Sequence, residues 1–204
     1  MITKEEIALS NVPLHSNVDD DKVLHYIDDA VQGLVKVIGN DLFDALATLN
    51  DEGVQNWAAA NGYVANKKAI EKERFIAKMW KSLTTNSDSK PSSTNTTDWE
   101  EVELGTLLFG YVKPYLAHAA FYPYAVNGGV NVTHQGLQTI SNETASALDG
   151  SSLQSYLNFW KRKTDVARTE MAKHIEDKSN LFDGVSYTAI DGSVKKRRFT
   201  ISGA

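Results

Sequence analysis

Cysteine is absent from this 204-residue chain. That excludes disulfides, thiol catalysis and cysteine-ligated zinc together. No apolar run approaches the roughly 20 residues that a bilayer requires. The opening, MITKEEIALS, has acids where a secretory signal needs a basic start and an apolar block. The expectation is a protein made and used in the cytoplasm. Catalytic signatures are missing as well: there is no P-loop, GxGxxG, GxSxG or HExxH.

The residues that could carry chemistry are scattered. The five histidines, His15, His25, His118, His134 and His174, show no metal-ligand spacing. His25 with Asp28 or Asp29 falls on neighbouring turns of a helix and reads as a surface pair. Asp19, Asp20 and Asp21 lack the alternating ligands, central glycine and closing glutamate of a calcium loop, so helix capping accounts for them better. The acids Glu100, Glu101 and Glu103 likewise suit the first turns of a helix. Asn95, Asn131 and Asn142 head sequons, which an Asn/Thr-rich chain produces by chance. An enzyme would have to assemble its site from dispersed residues such as His118, Tyr111 and Glu103. No catalytic residue, metal site or cofactor is expected.

What the chain does have is periodicity. Val23, Leu24, Ile27, Ala30, Val31, Leu34, Val35 and Ile38 recur at three- and four-residue spacing, one stripe of a helix that Gly39 and Asn40 stop. A second, shorter helix carries Leu42, Phe43, Leu46 and Leu49. A third is expected from about residue 67 to 83, burying Ile70, Phe75, Ile76, Met79, Trp80 and Leu83. Residues 84–97, TTNSDSKPSSTNTT, are almost wholly polar and read as a flexible surface loop. A long aromatic helix follows from Asp98, kinked by Pro114 against the carbonyl of Gly110. VNVTHQGLQTI reads as a loop or short hairpin, and a last helix runs from about 151 to 178. Asp191–Gly192 between two β-prone runs is a hairpin signal. The predicted fold is mainly α: a helical bundle of about five helices over residues 1–180, with the long polar loop at 84–97, and a C-terminal β-hairpin arm over 181–204.

Charge is unevenly spread. Residues 1–60 carry a net −8, residues 61–150 a net −1 and residues 151–204 a net +4. Copies could therefore attract one another head to tail, although charged faces can also be merely solvated. The run Lys195, Lys196, Arg197, Arg198, followed by Phe199, is the one cluster that invites a partner. It suits docking on an acidic protein surface, an edge strand guarded by charge, or contact with DNA.

The order of elements resembles the head–tail connector (adaptor) proteins of tailed bacteriophages, in particular a group from phages of Bacteroidetes-type hosts. MITKEEI, VIGNDLFDAL, LLFGYVKPYLAHAAFYPYAV and VNVTHQGLQTISNETA carry the resemblance, with the helix entered through Leu153, Tyr156 and Trp160. It covers most of residues 1–180 and lies in order and character rather than in an invariant signature. The resemblance implies a virion structural protein, not an enzyme, without cofactor. Its copies would form a homo-oligomeric ring, commonly a dodecamer, beneath the portal protein at the head–tail interface. The ring would extend the channel through which genomic DNA passes without sequence recognition, and would dock a tail-completion protein. Assembly would take place in the host cytoplasm, with no membrane involved. The alternative is a small DNA-binding or packaging accessory protein that uses the basic arm.

Overall fold

A computed structural model describes residues 2–9, 12, 20–59, 63–73, 75–85, 89–127, 130–133, 136–139, 150–178, 187–188 and 194–195. The chain divides into two compact units. One, the sheet unit, is built chiefly from residues 34–113 and 171–204. The other, the helical unit, comprises residues 2–33 and 114–170.

The sheet unit corrects the expected mainly α fold, a bundle of about five helices over residues 1–180. Where the apolar spacing predicts a helix between 67 and 83, the chain forms an antiparallel hairpin of β1 (Lys68–Glu73) and β2 (Ile76–Ser82). Ile70 pairs with Met79 and Glu73 with Ile76. Trp99, expected inside a helix, lies in β3 (Trp99–Glu101), which pairs antiparallel with β2 in the order β1-β2-β3. The protein is therefore a mixture of helix and antiparallel sheet.

The cause is burial on both faces of the central strand. Trp80 turns to one side, into a cluster with Tyr63, Ala69 and Trp99 against which Trp57 packs. Met79 turns to the other, where Gly105 of α4 (Glu103–Leu107) lies against it. A strand covered on two faces loses its period-two signature, and its apolar spacing then resembles that of a helix. The outer edge of β1 is partly covered too: Trp57 donates its backbone N–H to the carbonyl of Ile70 at 2.8 Å, and Ile70 donates to that of Gln55 at 3.0 Å.

Polar side chains tie the described part of the 84–97 tract to this sheet. The Trp99 indole donates to the Ser89 carbonyl at 3.0 Å, and the Ser89 hydroxyl donates to Asp98 at 2.8 Å. Lys90 pairs with Glu71 at 2.9 Å. Leu34 and Ile38, from the end of α2 (Asp20–Ile38), and Leu42, Leu46 and Leu49 of α3 (Asn40–Asp51) are buried in the same unit, as are Met171 and Ile175. Gly39 joins α2 to α3 at φ 86°, a conformation that glycine adopts without cost.

After α4 the helix widens into a π turn, Leu108–Val112, before continuing as α5 (Lys113–Asn127). The Lys113 amide reaches back five residues to the Leu108 carbonyl. Pro114 follows, with no N–H to donate and a ring that would crowd the carbonyl of Gly110 in a regular α-turn. A widened turn removes that conflict.

In the helical unit, α1 (Lys4–Leu9) buries Ile7, and the first part of α2 buries Val23, Ile27 and Ala30. Leu24, which the stripe places inward, is 49% exposed. Leu116, Ala120, Phe121 and Ala125 of α5 and Trp160 of α6 (Gly150–Asp177) are also buried here. Phe121 meets Trp160 edge to face at 4.8 Å. Two strands, β4 (Val130–Thr133) and β5 (Gly136–Thr139), pair antiparallel. Near the C-terminus, β6 (Tyr187–Thr188) and β7 (Val194–Lys195) pair in the same sense. Among the described residues, no helix is long and apolar enough to cross a membrane.

Candidate functional site

The sheet, α4, the π turn and the end of α6 surround a cavity of about 500 Å³ in the sheet unit. Close packing of glycine on strand shapes it. A Cβ on Gly105 would stand 2.4 Å from the Met79 side chain, and one on Gly110 would stand 2.9 Å from the Ala77 carbonyl oxygen. The helix therefore lies directly on β2, and its flanking side chains, Glu103, Thr106 and Tyr111, line the space beside it.

Two ion-pair groups meet there. Lys78 lies 3.1 Å from Glu73 and 2.9 Å from Glu101. The other oxygen of Glu101 accepts the Thr106 hydroxyl at 2.9 Å, and the Thr106 oxygen accepts the Met79 backbone N–H at 3.3 Å. Burial opposes the charge on Lys78, yet its bonds to Glu101 and Glu73 hold its pKa above the usual lysine value. Hydrogen bonds from Ser93, and secondarily the Lys78 contact, lower that of Glu73 against a smaller burial effect.

The second group is less complete. Lys178 donates to Glu103 Oε1 at 2.8 Å, which raises the Lys178 pKa. Glu103 Oε2 lies 3.9 Å from His174 Nε2, beyond hydrogen-bond reach, and both atoms are buried without a hydrogen-bond partner. Tyr111 stacks on the His174 ring with centroids 4.2 Å apart and planes inclined by 21°. Burial pushes the His174 pKa down, and the Glu103 carboxylate opposes this only in part. The imidazole is thus neutral near pH 7.

Residues 70–189 match DUF6712, described as a family of unknown function, over more than half of the chain. The chain belongs to the DUF6712 family. No curated protein and no solved structure matches it. All the residues that line the cavity fall within the DUF6712 match.

Of the dispersed residues that stand out in the sequence, Glu103 and Tyr111 come together in this cavity. His118 does not join them; it belongs to the helical unit, 5.9 Å from Trp160, where burial lowers its pKa. Sequence reasoning misses His174 and Lys178. They sit one turn apart, but their partner Glu103 is 75 positions from Lys178, which no local spacing reveals. His25 and Asp29 form an exposed pair at 3.5 Å. Of the proposed partner-binding run, Lys195 ends β7, opposite Tyr187. Lys196, Arg197, Arg198 and Phe199 lie outside the described residues and outside the DUF6712 match. Among the described residues, no group of three or more His, Asp or Glu is placed to hold a metal ion.

Proposed function

We propose that this chain is a structural assembly protein whose copies join side to side, and specifically a head–tail connector of a tailed phage. On this reading it forms a ring under the portal, extends the DNA channel and offers a platform to a tail-completion protein. It is made in the host cytoplasm and ends in the virion.

One observation carries the reading. Tyr156, Phe159 and Val166 of α6 are 39%, 50% and 48% exposed and, with Lys163, recur at three- and four-residue spacing. A long helix with an apolar stripe turned outward is suited to a protein partner. Charge supports a second copy in that role. Lys161, Arg162 and Lys163 are exposed on α6, whereas Asp21, Asp28 and Asp29 are exposed on α2 around Leu24. A basic, aromatic face and an acidic face on different helices make a heterologous contact, which closes into a ring when the rotation permits. The resemblance to connector proteins gives the ring its place.

The test is sedimentation velocity with negative-stain imaging, at low and high salt, with and without the portal protein of the same phage. Large closed oligomers are expected, alone or on the portal, and the double change Phe159→Ser, Val166→Ser should abolish them while the monomer stays folded. A wild-type protein that remains monomeric in every arm would sink the proposal. A monomer that instead binds duplex DNA with a steep salt dependence would favour the packaging-accessory alternative.

A further inference from the structure

We propose that the end of α6 is an acid-sensitive latch: a proton on His174 frees it from α4, because Lys178 already occupies the carboxylate that would hold the new charge. The device works within one chain and does not depend on ring formation.

The latch rests on a gap that packing keeps open. The His174 side chain is 10% exposed and stacks on Tyr111, and its Nε2 faces Glu103 Oε2 across 3.9 Å. Neither atom has a hydrogen-bond partner. With both ring nitrogens protonated, Nε2–H would face that oxygen from beyond hydrogen-bond range, and the pair would have to close by about 1 Å to bond. Both sides resist that movement. Gly105 of the same helix as Glu103 lies directly on Met79, and Met171 and Ile175 of α6 are 0% and 2% exposed. The other carboxylate oxygen is held by Lys178 at 2.8 Å. Where it sits, a charged imidazole therefore gains neither water nor a full ion pair.

The surrounding charges leave the balance against protonation. Burial is the largest influence on His174 and disfavours its charged form. Glu103 of α4 opposes burial, and Lys178, one turn along the chain, cancels part of that opposition. Glu101 of β3 and Asp177 of α6 attract the proton more weakly. Glu101 is itself shared with Glu73 of β1 through Lys78 of β2. The sign of the effect follows. An imidazole that takes a proton less readily in its seat than in water drives the segment out of the seat as pH falls below 6.5. Neutral His174 keeps the last turns of α6 docked, and protonated His174 releases them. The C-terminal residues, with the basic run at 195–198, follow on this end of the helix, so release shifts the point from which that run is tethered.

Amide hydrogen exchange of the full chain between about pH 7.5 and pH 5, corrected for the intrinsic effect of pH, tests the latch. Protection of residues 171–178 should fall by at least about threefold more than that of β2. His174→Asn, which cannot titrate, should remove the excess, and it also assigns the His174 imidazole C–H resonances by NMR. Lys178→Gln separates a latch from a simple tie. It deletes an ion pair, yet by leaving Glu103 to His174 alone it should raise the His174 titration midpoint and shrink the acid loss of protection. A Lys178 that only ties the helix would lower protection at both pH values and leave the midpoint where it was. Should Lys178→Gln fail to fold, Glu103→Gln takes its place, with a lower His174 midpoint expected. Equal loss of protection in 171–178 and β2, an excess that survives in His174→Asn, or a midpoint that stays put or moves the other way in the folded variant overturns the proposal.

Discussion

In the sheet unit, Trp99 is 1% exposed, and its indole, its neighbour Asp98 and the serine they share are bonded to one another. In the helical unit, Phe159 packs edge to face on Trp160 at 5.2 Å and yet remains 50% exposed. The first region closes on itself through buried aromatics, bridging lysines and glycines set directly on a strand. The second has a core of small and aromatic side chains but leaves apolar and charged surface turned outward. The contrast separates two uses of apolar residues. Those of the sheet unit specify one packing, whereas part of the helical unit's set stays exposed to solvent.

The largest effect is expected at the centre of the closed region. Trp99→Ala removes a fully buried indole, its edge contact with Tyr63 at 5.2 Å and its bond to Ser89. It should cost about 3–5 kcal/mol in denaturant melts. A loss below about 1 kcal/mol would erase the distinction between the two regions. Gly105→Ala comes next, at about 1–3 kcal/mol, because the new Cβ meets the Cβ of Met79 at 2.4 Å, an atom fixed to the strand backbone.

Acidification probes both regions at once. Burial lowers the pKa of His174 from 6.5, with Glu103 opposing, while burial and then the charge of Lys163 lower that of His118. A depressed histidine pKa means that the unfolded chain binds protons first as pH falls below 6.5. Stability present above that value is therefore lost on acidification, until the folded imidazoles titrate as well. Because Glu103 offsets the effect in the sheet unit, His118→Asn should flatten the acid limb more than His174→Asn does. Denaturant melts from about pH 7.5 down to about pH 5 measure this, and a larger flattening in the sheet unit would reverse the assignment.

The smallest effects are expected where a side chain is largely exposed or would enter open space. Phe75→Ser, at a position 93% exposed, should change stability by less than about 0.5 kcal/mol. A Cβ added at Gly33 would meet nothing within 4 Å, and this glycine sits inside α2, so Gly33→Ala should stabilise by up to about 1 kcal/mol. The same change of glycine to alanine thus has opposite signs in the two units, and melts that show one sign for both would break the comparison.

The helix α2 is legible in the sequence because one of its faces meets a core and the other does not, so its apolar residues keep a three- and four-residue beat. Residues 68–82 offer no such guide. Lys, Glu and Ala favour a helix locally, and burial of both Met79 and Trp80 hides the alternation of a strand. Trp99 reads as helical for a related reason: three residues of strand are too few to show a period, and Glu103 begins a real helix just beyond. Glu103 and Tyr111 are recognisable as chemically capable residues. Their meeting with His174 depends on how the end of α6 packs in the sheet unit, and adjacency in sequence carries no record of that.

The π turn at Leu108–Val112 also provides a way to read other DUF6712 sequences. A π turn holds one residue more than an α-turn, so it behaves as a single inserted residue carried inside an otherwise regular helix. A relative that lacks one position within this turn would wind the stretch as plain α-helix, and the side chains before and after it would keep nearly the same faces, because five residues of π turn sweep about the same angle as four of α-helix. A one-residue gap at this point in an alignment therefore marks members without the widened turn, in which Glu103 and the residues of α5 still have counterparts on the same faces.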